Sequence, residues 1–134
     1  MTTATELVTA WFTSSPFNQQ LALELKSVDD GASVVRMPFD ASRCTMGDVV
    51  HGGAVSTLID CAATVAAWAG ADVPEQMRGS TIALSVTFLA AARGDLFGNG
   101  RLVRRGKNLA FCDVEVTNAS GEVVAKGLVT YKIG

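Results

Sequence analysis

Two glycines followed by one acid, Gly52-Gly53 and then Asp60, form the part of this chain equipped for chemistry. Residues 51–69, HGGAVSTLIDCAATVAAWA, read as a single helix that is apolar nearly all round, and such a helix belongs inside a protein. An ionised Asp is seldom fully buried unless it is paired, so Asp60 is the first functional candidate. Glycine costs about 1 kcal/mol of helix propensity relative to Ala, and a pair of them at a helix start needs a reason. Bare backbone lets another group approach N–H donors that have no partner within the helix, where the dipole also favours developing negative charge. That is the layout of an oxyanion hole, with the carboxylate as nucleophile or as the base that activates water.

Spacing constrains how these groups could cooperate. At 100° per residue, Gly53, Thr57, Asp60 and Thr64 fall on one side of the helix, with Ser56 beside them. Along the axis, however, Gly53 and Asp60 are about 10 Å apart at the helical rise, whereas both groups should come within about 3 Å of one reacting atom. If both act on one substrate, the carboxylate comes from a second copy of the chain across a two-fold axis. Structural alternatives stand beside these readings. Asp60 could be an acid hydrogen-bonded to Ser56 or Thr64, and the glycines could serve close helix–sheet packing. His51, the only histidine, suits a capping or core role better than a Ser-His-Asp relay, because no nucleophile-elbow motif accompanies it.

The elements that must position this helix can be read along the chain. Thr3-Ala4-Thr5-Glu6 has the form of a capping box, and Leu7, Val8, Trp11 and Phe12 follow at helical spacing, so a short helix opens the chain and ends at Ser14-Ser15-Pro16. Leu21, Leu23 and Leu25 alternate with polar or small residues as a strand from Gln20, and Asp29-Asp30-Gly31 supplies a hairpin turn into a second strand, 32–39. Pro38 cannot donate to a ladder, which places that end at an edge or outside the sheet. Residues 40–50 read as a loop, the central helix stops near Gly70, and 71–79 form a connection. A long strand over 80–93 follows, with Leu84, Val86 and Phe88 on one face, then a strand reaching Arg105 with turn or bulge chemistry at Arg93-Gly94-Asp95 and Asn99-Gly100. Two clearly alternating strands, around 112–117 and 123–133, complete the chain. This order predicts an α+β fold, an antiparallel sheet curled around one long central helix, with a short N-terminal helix.

With 134 residues, the chain fits one domain, 1–134. Hydrophobic residues make up 49% and charged residues 18%, a balance that predicts burial of further apolar surface in a homo-oligomer. A net charge of −2 without basic runs disfavours nucleic acid and anionic membranes as partners. The N-terminal residues lack the pattern of a signal peptide, so a cytoplasmic location is expected. Cys44, Cys61 and Cys112 have neither disulfide-framework nor zinc spacing. Residues 54–69 are at the short limit for a membrane span and carry Asp60 near the middle, which favours a buried soluble helix.

The residues also carry a family resemblance. His51-Gly52-Gly53, Ser56-Thr57-Leu58-Ile59-Asp60 with its Ala-rich continuation, and residues 83–96, ALSVTFLAAARGDL, resemble the hotdog-fold acyl-coenzyme A thioesterases of the phenylacetate-degradation type, from about residue 17 to the end. The resemblance implies a homodimer with shared active sites, paired again into a dimer of dimers, that hydrolyses an acyl- or aryl-coenzyme A to free acid and coenzyme A. It implies that the Gly52 N–H polarises the thioester carbonyl with Gly53 beside it, that Asp60 of the other subunit is nucleophile or base, and that Thr81 assists the acid or the water. Similar enzymes carry an Asn six positions before the HGG histidine, where this chain has Thr45, with fewer donors and shorter reach. Coenzyme A brings phosphates, for which Arg104, Arg105, Lys107 and Asn108 are the candidates, with Arg93 a weaker one. No metal or redox cofactor is expected, coenzyme A entering as part of the substrate. A non-catalytic acyl-coenzyme A-binding module on the same fold is the alternative. The acyl group depends on packing around side chains such as Val55, Leu58, Val65, Trp68 and Phe88.

Overall fold

In the computed structural model, which describes residues 3–72 and 78–134, Thr3 caps the first helix by accepting the Glu6 N–H at 3.1 Å. This helix, α1, spans Ala4–Ser14 and buries Val8 and Phe12. The chain does not pass straight into a strand as expected. Pro16 opens a second short helix, α2, over Pro16–Gln20, since its fixed φ and missing N–H suit a first helical position as well as a helix stop. Ala22 then adopts a left-handed φ of 52°, so the first strand starts only at β1, Glu24–Asp29.

Asp30-Gly31 turns β1 into β2, Ala32–Met37, with Asp29 opposite Ala32. Pro38 falls just outside, as its missing donor requires. The segment expected to be a loop contains a 3-10 turn at Ala41–Arg43 and a small hairpin of β3, Cys44–Met46, and β4, Val49–Val50. That hairpin delivers the chain to α3, Gly52–Trp68, and is anchored by the His51 N–H on Arg43 O and the Val50 N–H on Ala92 O, each at 2.8 Å. The predicted connection over 71–79 lies partly outside the described residues, at 73–77. The strand beyond it, β5, is Gly79–Phe88, shorter than the expected 80–93. Then come β6, Leu96–Arg105, β7, Leu109–Asn118, and β8, Val123–Ile133.

These strands form one six-stranded antiparallel sheet in the order β1-β2-β6-β7-β8-β5, curled around α3 in the hotdog arrangement. From Cys61 to Ala69 every residue of the helix segment is buried. The approach is close because glycines face the helix. A Cβ at Gly98 would meet Leu58, one at Gly127 would lie 2.5 Å from Ile59 Cγ2, and one at Gly100 would lie 2.6 Å from Ala62 O. Asn99-Gly100 is therefore regular strand rather than a turn or bulge, and Gly100 marks helix–sheet contact. Ser33 Oγ, in β2, donates to the same Ala62 O at 2.7 Å, fixing the helix along its length.

Candidate active site

Asp60 is half-buried and faces a cleft of about 600 Å³ between α3, β5 and the N-terminal helices. Thr81 Oγ1 donates to Asp60 Oδ1 at 2.6 Å. A register shift aims this contact. Thr81 lies opposite Tyr131, Leu84 opposite Val129, and Ile82 is the extra residue between them. Tyr131 and Val129 are two apart on β8 and share the helix-facing side, so on β5 the bulge allows residues three apart to share it too. Without it, Thr81 and Leu84 would point to opposite faces.

Ser56, Thr57 and Thr64 line the same cleft, as the helical projection predicts. The two threonine hydroxyls do not hold the carboxylate, because Thr57 donates to Gly53 O and Thr64 donates to Asp60 O, both back along the helix at 2.9 Å. Two ionisable neighbours of the acid are shifted upward. Burial, reinforced by Asp60, pushes the Cys61 thiol up to about 12, which keeps it a neutral packing group rather than a nucleophile. Tyr131 is likewise raised above the ordinary phenol range by burial, with Asp60 adding to the rise and the Trp68 hydrogen bond opposing it.

At the other end of the chemistry, the first turn of α3 separates its two glycines. His51 caps the helix, and its Nδ1 accepts the Gly53 N–H at 2.8 Å. The Ala54 and Val55 N–H groups donate to His51 O. Among the described residues no group accepts the Gly52 N–H, which remains a free donor at a helix start. The glycines also answer to different neighbours: a Cβ at Gly53 would lie 2.9 Å from His51 Nδ1, and one at Gly52 would lie 3.2 Å from Phe88 Cζ. Thr45 and Gly52 line one small cavity of about 260 Å³, with Phe88 in its wall, whereas His51 and Gly53 line another beside Cys44. Within one chain, then, Gly52 and Asp60 face different cavities, consistent with their spacing along α3.

The basic candidates divide as well. Arg104 lies opposite Phe111 and Arg105 opposite the fully buried Ala110, so the two arginines leave opposite faces of the sheet. Arg105 Nη1 donates to Ala67 O at 2.9 Å and so caps the end of α3. Arg104, Lys107 and Asn108 line an outer groove with Val103 and Phe111, and Arg93 pairs with Asp48 at 3.1 Å.

Two features were beyond the reach of sequence reasoning. Of the side chains expected to shape the substrate pocket, Leu58, Val65 and Trp68 are fully buried core residues, whereas Val55 and Phe88 line the Gly52 cavity; the walls of the Asp60 cleft are Leu7, Trp11, Phe17 and Leu84. Asn18, only 3% exposed, joins them, with Nδ2 donating to Phe12 O and Oδ1 accepting from the Cys61 thiol.

Comparison with known proteins agrees with this architecture. The thioesterase superfamily model matches residues 47–125. Human acyl-coenzyme A thioesterase 13 is 26% identical over 133 residues, spanning 96% of this chain and 93% of the relative. A thioesterase protein from Streptococcus pneumoniae, solved with coenzyme A, superposes with a TM-score of 0.74 at 25% identity over 84% of this chain and 85% of that one. The PaaI protein of the E. coli phenylacetic acid degradation operon shares the fold, with a TM-score of 0.87 at 21% identity over 98% and 93% of the two chains.

Proposed function

The chain belongs to the thioesterase superfamily and is a thioester hydrolase, and we propose that its substrate is an acyl- or aryl-coenzyme A, cleaved to the free acid and coenzyme A in a site shared by two subunits. The Gly52 N–H polarises the thioester carbonyl, and Asp60 of the neighbouring subunit attacks the carbonyl carbon or takes a proton from the water that does. The oxyanion forms against the helix start, where a free donor and the dipole stabilise it. Collapse breaks the C–S bond. On the base route the leaving thiolate takes the proton drawn from the water; on the nucleophile route a water then hydrolyses the Asp60 acyl anhydride, freeing the acid and the carboxylate and supplying the thiolate's proton. Thr81 holds the carboxylate, and Thr45 lies on the Gly52 side in the place of the usual Asn. His51 fixes the first turn of the helix. Arg104, Lys107 and Asn108 are assigned to the coenzyme A phosphates; Arg105 has a donor committed to the end of α3.

The observation that carries this reading is the division of labour between the two ends of one strand. β5 lies at the sheet edge, with Thr81 beside Asp60 at its start and Phe88 beside Gly52 at its end. Antiparallel pairing of two β5 edges about a two-fold axis exchanges those ends. The Gly52 end of one subunit then lies against the Asp60 end of the other, which resolves the spacing of about 12 Å between them on one helix. A further pairing of dimers is part of the proposal.

The test is thiol release from a panel of phenylacetyl-, aryl- and medium-chain acyl-coenzyme A thioesters. Wild type is expected to turn over at least one of them, and Asp60→Asn to lose about a hundredfold or more of kcat with unchanged circular dichroism. Full activity in Asp60→Asn sinks the mechanism. Binding of coenzyme A thioesters without turnover of any would instead favour the non-catalytic module.

A further inference from the structure

The wall of the Asp60 cleft facing β5 is built by the N-terminal helices. Leu7 and Trp11 lie four residues apart on one face of α1 and line the cleft. Val8 and Phe12, one position on, are buried at 0% and 1% exposure and hold α1 to the core. Phe17, from α2, adds a ring that is 55% exposed. Asn18 ties this wall to the reaction centre, because the thiol it accepts from belongs to Cys61, the residue after Asp60, while its amide holds the end of α1 through Phe12 O at 3.2 Å.

Among the described residues, the α3 side of the cleft ends one turn beyond Asp60. From Asp60 it continues along α3 to Thr64, one helical turn or about 6 Å, where Tyr131 and Gly79 line it. Tyr131 is held there by the Trp68 Nε1–H at 3.0 Å and by edge contact with the buried Trp68 ring. We infer that α1 and α2 are the acyl-group selector of this enzyme, with Trp11 and Phe17 as specificity-determining residues that favour a compact apolar acyl group, a ring or a short chain, over an extended one. The inference rests on the thioesterase reading and goes beyond it by assigning selectivity to a segment that carries none of the reacting groups.

The experiment compares kcat/KM for phenylacetyl-coenzyme A and straight-chain decanoyl-coenzyme A in wild type, Trp11→Ala, Trp11→Phe and Phe17→Ala. Wild type is expected to favour the phenylacetyl substrate by about tenfold or more, the discrimination an apolar pocket commonly supplies. Trp11→Ala and Phe17→Ala should narrow that ratio severalfold by admitting the longer chain, and Trp11→Phe should keep it. Parallel losses on both substrates in Trp11→Ala indicate a merely structural role and overturn the selector assignment, as does a wild-type preference for decanoyl-coenzyme A. Should Trp11→Ala not fold, the exposed Phe17 decides: an unmoved ratio in Phe17→Ala counts against the inference. Turnover that Asp60→Asn abolishes, with a ratio that neither wall variant moves, overturns the selector alone. Absence of turnover of both thioesters by wild type, when another member of the panel is cleaved, overturns the selector alone; absence of turnover across the whole panel overturns the acyl-coenzyme A reading with it.

Discussion

Thr81 and Asp60 make the shortest polar contact in the cleft, 2.6 Å between a hydroxyl and a carboxylate oxygen. A hydrogen bond to a charged group contributes about 1.5–3 kcal/mol. If it orients the carboxylate for attack or proton transfer, Thr81→Val should lower kcat by about tenfold to a hundredfold with little change in KM, and Thr81→Ser should restore most of the rate. Steady-state kinetics on the best thioester of the panel checks this, and a valine variant as fast as wild type removes Thr81 from the mechanism. The neighbouring glycines show how one motif holds two functions. Gly53 makes room for the His51 ring that takes its N–H, while Gly52 keeps its own N–H free beneath Phe88. The motif residues and the acid were legible in the sequence from type and spacing. Which donor is taken and which stays free was not, because that depends on the imidazole of His51 folding back onto the Gly53 N–H while the Phe88 ring, 36 positions on, only packs beside Gly52.

Among the elements, the start of β6 depends on a carboxylate. Asp95 accepts the Phe39 N–H and the Arg36 guanidinium, each at 2.8 Å, joining β6 to the segment leaving β2. The Phe39 N–H first, and Arg36 second, hold the Asp95 carboxyl below its ordinary value of 3.8. A carboxyl with a depressed folded value adds stability above the ordinary carboxylate range, and that stability is lost as pH falls through the depressed value. The Tm of Asp95→Asn should therefore lie below that of wild type at pH 7, and the gap should narrow as pH falls below the ordinary carboxylate value of 3.8; a gap that stays constant with pH contradicts this role. Element types were mostly readable, since period-two alternation marks β7 and β8 and the capping box marks α1. Leu21 misled, because its place in the alternation with Leu23 and Leu25 ignores that Pro16 can start a helix and that Ala22 turns the chain.

For the whole molecule, the decisive claim is that a complete site needs two chains. Gly52→Pro removes the N–H while keeping a first helical position that proline tolerates, and His51 already has the extended backbone that a following proline requires, φ −58° and ψ 136°. Asp60→Asn removes the acid. Each variant alone is expected to be inactive, yet a refolded equimolar mixture should regain about one quarter of wild-type activity, since half of randomly formed dimers are mixed and each mixed dimer holds one intact site of two. No recovery, in mixtures shown by native mass spectrometry to contain mixed dimers, refutes the shared site.

The sequence by itself determined the buried helix, its acid, its glycines and the antiparallel sheet, because these follow from local periodicity and from the cost of glycine and charge in an apolar helix. Tertiary structure alone decided that Ile82 bulges so that Thr81 meets Asp60. It alone decided that Arg104 and Arg105 part to opposite faces, and that Leu7, Trp11 and Phe17 rather than Val65 and Trp68 wall the cleft. Each depends on register between distant strands or on which of several apolar faces the core takes up. A shift of one residue reverses a strand's faces, and no single segment of the chain encodes it.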